Sequence, residues 1–191
     1  MEDVNVSAFL LINQHAGESA WLDALAIAAA EAMPYVFIAA LALLWLSPQP
    51  ARKKTSLKAG GAVLLGLGLS YAVSLAYFHP RPFVQDLGQG LIVHAADASF
   101  PSDHTTFLFS IAFVLALERR TRTLGAVLLG LSAVGGLSRV YVGVHFPLDI
   151  LGAALVGLLA ACAMQLCNDE AGRPGRMLDA LARIGLTGVG K

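Results

Sequence analysis

The sequence predicts an all-α, polytopic membrane bundle of about five to six transmembrane helices, with interfacial helices at the N- and C-termini. Three observations carry that prediction. Hydrophobic residues make up 57% of the 191 residues and charged residues 14%, at a mean hydropathy of +0.68, whereas a soluble domain carries about a quarter charged residues. The apolar residues gather in runs near the roughly 20 residues that a spanning helix needs. Lysine and arginine gather in alternate connections between those runs.

Residues 4–12 are apolar but too short to span, and read as an interfacial helix. Residues 20–30 either extend the first span or lie along the membrane surface, because Asp23 and Glu31 make a fully lipid-facing helix costly there. Spans are expected at 27–46, 57–78, 105–117, 124–142 and 148–167. The third is short unless neighbouring helices cover its polar start. Met177, Leu178, Leu181 and Ile184, with Arg176 and Arg183 beside them, read as a basic amphipathic helix on the cytoplasmic leaflet. The chain is read as one domain, 1–191, with a catalytic motif region at 74–149 and a tail at 168–191.

Charge placement sets the expected orientation. Arg52, Lys53 and Lys54 follow the first span; Arg119, Arg120 and Arg122 follow the third; Arg173, Arg176 and Arg183 follow the fifth. These segments read as cytoplasmic. Residues 79–103 and 138–147 then face the other, extracytoplasmic side. The first of them is long for a compact bundle, and long loops are more often functional. A net charge of zero leaves no basic field for nucleic acid. Cys162 and Cys167 read as packing residues rather than a disulfide or a metal pair. Acidic Glu2 and Asp3 and the short early apolar stretch argue against a cleavable signal peptide.

Three polar islands interrupt this oily chain, and ionisable residues beside lipid are normally kept for function. In the island from Ser138 to Asp149, Pro147 suits the first position of a helix. His145 then lies just outside that helix and Asp149 inside its first turn. A fold-back would let the Asp149 carboxylate accept a hydrogen bond from one imidazole nitrogen, fixing the tautomer and freeing the other nitrogen to attack. Arg139 is a planar fork suited to phosphate.

The second island is Pro101-Ser102-Asp103-His104. Ser102 is an expected N-cap, and the free N–H groups of the helix start form an anion site. His104 could donate a proton to a leaving oxygen. In the third island, Pro80 and Pro82 stiffen the exit from the second span and hold Arg81 at the interface. His79 is open between a surface residue and a second donor. Together the islands supply what hydrolysis of a phosphate ester needs: cations for the equatorial oxygens, a histidine nucleophile and a histidine acid. The economical mechanism is covalent, through phosphohistidine. No set has clear metal-ligand spacing, and no cofactor is expected.

The order Arg-Pro, Pro-Ser-x-His, Ser-Arg-x5-His-x3-Asp resembles the type 2 phosphatidic acid phosphatase superfamily. The wording Phe-His-Pro-Arg-Pro-Phe and Ser-Phe-Pro-Ser-Asp-His is similar to its bacitracin-resistance branch, the undecaprenyl-diphosphate phosphatases. The resemblance covers roughly residues 57–167. It implies that His145 is the nucleophile oriented by Asp149, that His104 protonates the leaving group, and that Arg81, Ser102 and Arg139 hold phosphate. Asp103, Ser138 and His79 complete the expected substrate-binding set. It also implies a polyprenyl diphosphate lipid as substrate, drawn from among membrane lipids, and a helical bundle with its site at the outer surface.

Two positions depart from the family pattern. The first motif usually begins with a lysine seven residues before the arginine, and here that position is Ser74, with His79 as a candidate replacement for that cation. The usual glycine of the second motif is Asp103, which should either tune His104 or contact a basic group. Phosphatases of phosphatidic acid or phosphatidylglycerol phosphate share the same catalytic residues and stand as the alternative reading. A non-catalytic lipid-binding or transport protein is the remote one, because it leaves both histidines and Asp149 without a purpose.

Overall fold

The computed structural model describes residues 2–169, so the basic tail expected at 177–186 lies outside the described residues. Six α-helices follow in order: α1 Glu2–Asn13, α2 Ala20–Leu46, α3 Pro50–Ala76, α4 Asp103–Leu117, α5 Arg122–Tyr141 and α6 Pro147–Asp169. A single 3-10 turn, Pro82–Gln85, lies in the long loop after α3. Among the described residues there is no strand. By length and composition α2, α3, α5 and α6 can each cross a membrane. The expected all-α membrane bundle is what forms. Residues 20–30 extend the first span rather than lying apart from it.

At 15 residues and about 1.5 Å per residue, α4 is shorter than the roughly 30 Å hydrocarbon layer. It forms the axis of the bundle, packed by α3, α5 and α6. Its polar start is covered: Thr105, Thr106 and Ser110 are all buried. Leu108, Ile111, Val114 and Leu115 then build the core with Phe37, Val63 and Leu128. Close approach depends on glycine, since a Cβ at Gly157 of α6 would sit 2.9 Å from the Ser110 nitrogen. Leu43, Leu64, Leu75, Leu151 and Leu155 point outward and are exposed, as expected of a lipid-facing surface.

One end of the bundle is basic. Because α3 starts at Pro50, Arg52, Lys53 and Lys54 belong to its first turns rather than to a free loop. Lys53 is buried with its ammonium 5.6 Å from the Trp45 ring. Lys58 is buried too, donating to Glu118 at 2.6 Å and Gln165 at 2.9 Å. Cys162 is a free thiol on the exposed side of α6, which corrects its reading as a packing residue.

The opposite end carries the polar islands, and α1 braces it. Phe9 is fully buried and meets Phe146 edge-on. Asn13 donates to the Gln89 and Tyr141 carbonyls and accepts from the Gln89 N–H. Asn5 accepts from the Leu148 N–H, one of the free donors at the start of α6. The short N-terminal helix is therefore tied to the bundle by buried amides, beyond the interfacial role that its apolar residues suggest.

Candidate active site

Three helix ends and one loop converge here. α5 ends at Tyr141, and a tight turn leads into Pro147, the first residue of α6. Gly143 makes that turn at φ +87°, and a Cβ there would lie 2.5 Å from the Gln89 carbonyl. Leu91 N–H donates to the Val142 carbonyl, so residues 89–91 of the long loop rest directly on the turn. His145 leaves the turn two residues before α6, and Asp149 follows in the helix's first turn. Both side chains are about 1% exposed.

The hydrogen bonds around His145 settle its tautomer. Arg81 Nη1 lies 3.0 Å from His145 Nε2. A guanidinium can only donate, so Nε2 must accept and the ring proton resides on Nδ1. Nδ1 lies 3.0 Å from the Ser99 carbonyl and 3.3 Å from Asp149 Oδ2. Asp149 Oδ2 also accepts from the Ser99 hydroxyl and from the Phe146 N–H. Burial holds the His145 imidazole at about 4, well below its usual value; the Asp149 bond opposes this and Arg81 reinforces it. The ring is neutral at physiological pH, with its Nε2 lone pair turned toward the cations.

Arg81 is held on every edge. Nε donates to Asp97 Oδ1 at 2.7 Å, Nη1 also donates to the Val144 carbonyl at 2.9 Å, and Nη2 donates to the Ala98 carbonyl at 3.4 Å. Asp97 is itself 61% exposed. Its burial raises proton affinity, but the hydrogen bond and charge of Arg81 outweigh that and keep the carboxylate below its usual range. Arg139 enters from the last turn of α5, about 5% exposed, with Nη1 donating to the Ala30 carbonyl at 3.5 Å. Glu31 of α2 is exposed and within electrostatic reach of it.

Ser102 caps α4, its hydroxyl accepting from the Thr105 N–H. His104 stands one residue into α4, within electrostatic range of Arg139, His145 and His94. Arg139 Nε and His104 Nε2 are both buried and have no partner among the described residues. Two buried nitrogens without partners, beside a helix N-terminus and a neutral imidazole, are suited to a tetrahedral oxyanion.

The remaining expected site residues make contacts of their own. Asp103 accepts a hydrogen bond from the buried Ser70 of α3, not from His104 or a cation. Its carboxylate is thereby turned to α3. Ser74 donates to the Tyr71 carbonyl in its own helix. His79 lies 3.2 Å from Glu2 of α1, stacks on Tyr77 and meets Phe146 edge-on. Ser138 borders an apolar groove of about 330 Å³ between α2 and α5, lined also by Leu25, Ala29 and Val134.

Sequence reasoning passed over three residues at this site. Ser99 stands inside the quoted Ser-Phe-Pro-Ser-Asp-His wording, so its position was visible without its role. Asp97 and His94 belong to the long loop, where no periodicity marks a functional side chain. The His94 ring centroid is 6.4 Å from that of His145.

The profile of the PAP2 superfamily matches residues 55–173 of this chain. BcrC of Bacillus subtilis (strain 168), an undecaprenyl-diphosphatase, is 36% identical over 156 residues, which cover 82% of this chain and 80% of that protein. YbjG of Escherichia coli (strain K12) is 36% identical over 166 residues, covering 87% of this chain and 83% of that protein. Among solved structures, LpxE of Aquifex aeolicus matches with a TM-score of 0.72 at 28% identity, covering 85% of this chain and 94% of that one.

Proposed function

Since this chain belongs to the PAP2 superfamily and is a membrane lipid phosphatase, we propose that it hydrolyses undecaprenyl diphosphate to undecaprenyl phosphate and inorganic phosphate. The observation that carries the chemistry is the His145 tautomer. Asp149 and Ser99 hold the proton on Nδ1 and leave Nε2 facing Arg81, beside the unpartnered nitrogens of Arg139 and His104.

His145 Nε2 attacks the terminal phosphorus, and the bond from phosphorus to the bridging oxygen breaks. The electron pair leaves with undecaprenyl phosphate, whose new terminal oxygen takes a proton from His104. The phosphoimidazolium keeps its Nδ1 proton, and its positive charge is stabilised by Asp149. Water then attacks the phosphorus, giving its proton to His104 as the N–P bond breaks and inorganic phosphate departs. Arg81, Arg139, Ser102 and the start of α4 hold the equatorial oxygens through both steps. Arg81 exchanges its bond to Nε2 for one to phosphate as substrate enters.

The site lies at the end of the bundle away from the basic turns of α3 and the Arg119–Arg122 connection, which supports an extracytoplasmic face by the positive-inside rule. There the product is a carrier lipid available for recycling in cell-wall synthesis, with bacitracin resistance as the cellular readout. The apolar groove beside Ser138 suits the lipid tail.

The test is release of inorganic phosphate by purified protein in detergent, from undecaprenyl diphosphate compared with phosphatidic acid and phosphatidylglycerol phosphate. His145→Ala is expected to abolish release while keeping the wild-type unfolding midpoint, and wild-type protein quenched during turnover is expected to carry an acid-labile phosphate. Turnover by His145→Ala removes the nucleophile assignment. Faster turnover of the monophosphate lipids removes the substrate assignment.

A further inference from the structure

The site holds a third imidazole that the mechanism above does not use. His94 projects from the long loop, with its side chain 26% exposed and its ring 6.4 Å from that of His145. Both ends of its segment are fixed: Leu91 N–H donates to the Val142 carbonyl and Ser99 N–H to the His79 carbonyl. Between these anchors His94 Nδ1 is 3.2 Å from the Ala95 carbonyl and 3.9 Å from Asp97 Oδ1. Arg81, Arg139 and Asp97 all act on its charge, and its charge in turn acts on His104.

We propose that His94 is a substrate-contacting residue, donating a hydrogen bond in its protonated form to an oxygen of the phosphate group held over His145. This rests on the phosphatase reading of the same site. With Nδ1 turned to the Ala95 carbonyl, Nε2 is the ring nitrogen left to meet an anion. Position 74 is a serine bonded within its own helix, and His79 Nε2 is turned to Glu2 of α1.

A histidine there makes anion binding depend on pH. Without an anion, burial first, then Arg81 and Arg139, push the His94 imidazole below its ordinary value, against the Ala95 bond and Asp97. A dianion among the two arginines offsets their charge and thereby favours the imidazolium. The other charged or titratable groups acting at this point are His104 on α4 and His145 on the α5–α6 turn. Binding of a dianion is therefore coupled to proton uptake, and it tightens as pH falls through the histidine range.

Sulfate is the probe, because its charge is constant over that range, and its binding is measured by titration calorimetry on the detergent-purified full chain. His94→Gln is expected to weaken sulfate binding about tenfold near pH 6 and less than about twofold near pH 8, the size of one charge-assisted hydrogen bond. His94→Lys is expected to restore affinity at both pH values, with a smaller pH slope than wild type. Proton uptake, read from buffers of different ionisation enthalpy, is expected to be lower in His94→Gln than in wild type. The proposal is overturned if His94→Gln matches wild type in affinity and uptake, or if folded His94→Lys binds as weakly as His94→Gln. Lack of lipid turnover by the wild-type protein sinks the phosphatase reading alone, since sulfate binding needs no turnover.

Discussion

Arg81 donates to Nε2 of His145 across 3.0 Å, so a permanent cation rests on the nitrogen that would attack phosphorus. The contact excludes a proton from that nitrogen and keeps the lone pair available. With burial, it places His145 at about 4. A base with lowered proton affinity works down to low pH, so kcat/KM is expected to show no loss from His145 protonation between neutrality and about pH 5. In Arg81→Gln, kcat/KM falls, by about a hundredfold or more for a buried cation on phosphate. Its acid limb also moves to higher pH, because one of the groups opposing protonation is gone. A pH profile of both proteins on the lipid substrate checks this; an unmoved limb refutes the role given to Arg81.

Ser99 joins the His145–Asp149 pair from two sides. Its carbonyl accepts from His145 Nδ1 and its hydroxyl donates to Asp149 Oδ2. Removing the hydroxyl leaves the carbonyl in place and takes one donor from a carboxylate that is about 1% exposed. Ser99→Ala is expected to lower kcat about tenfold with little change in KM, the scale of one hydrogen bond to a charged group. Asp149→Asn is expected to lose about a thousandfold or more, because an amide can present its N–H to Nδ1 and no longer supports the imidazolium. Single-turnover phosphate release separates the two; equal losses refute the distinction.

At the basic end, Lys58 is buried and lies 2.6 Å from Glu118, which keeps 29% of its side-chain surface. Removing the carboxylate leaves a buried ammonium with no counter-charge and only the Gln165 amide oxygen as partner among the described residues, whereas removing the ammonium leaves a carboxylate that reaches water. Glu118→Ala is expected to destabilise the protein by about 1–3 kcal/mol and Lys58→Met by less, after allowing for the solvent around Glu118. Thermal unfolding in detergent measures both, and the reverse order refutes the argument.

Gly157 tests the packing of α6 on the central helix. Its missing Cβ allows contact with the Phe109–Ser110 backbone of α4, where an added methyl would lie 2.9 Å from the nearest atoms. Gly157→Ala is expected to cost about 1–3 kcal/mol despite the better helix propensity of alanine, because backbone cannot rotate away as a side chain would. A rise in the unfolding midpoint would contradict this.

Much of this was legible in the chain. Apolar runs and the spacing of lysine and arginine located α2, α3, α5 and α6, because both signals are local and lipid imposes them. Pro147 at the start of α6 and Ser102 before α4 are likewise local, set by helix-end chemistry within a few residues. The loop from Ala76 to Asp103 follows no such rule. Its path depends on Asn13 of α1, on Val142 and on Asp149, far away in sequence, so Ser99, Asp97 and His94 stayed unmarked.

By itself, then, the sequence determined the class of fold, the family wording and the His145–Asp149 spacing, since periodicity, composition and helix caps are written residue by residue. Only the tertiary structure decided where each charge points. Asp103 turns to Ser70, His79 to Glu2, and Arg81 to His145 and Asp97, because a buried polar group takes whichever partner packing brings within hydrogen-bond reach.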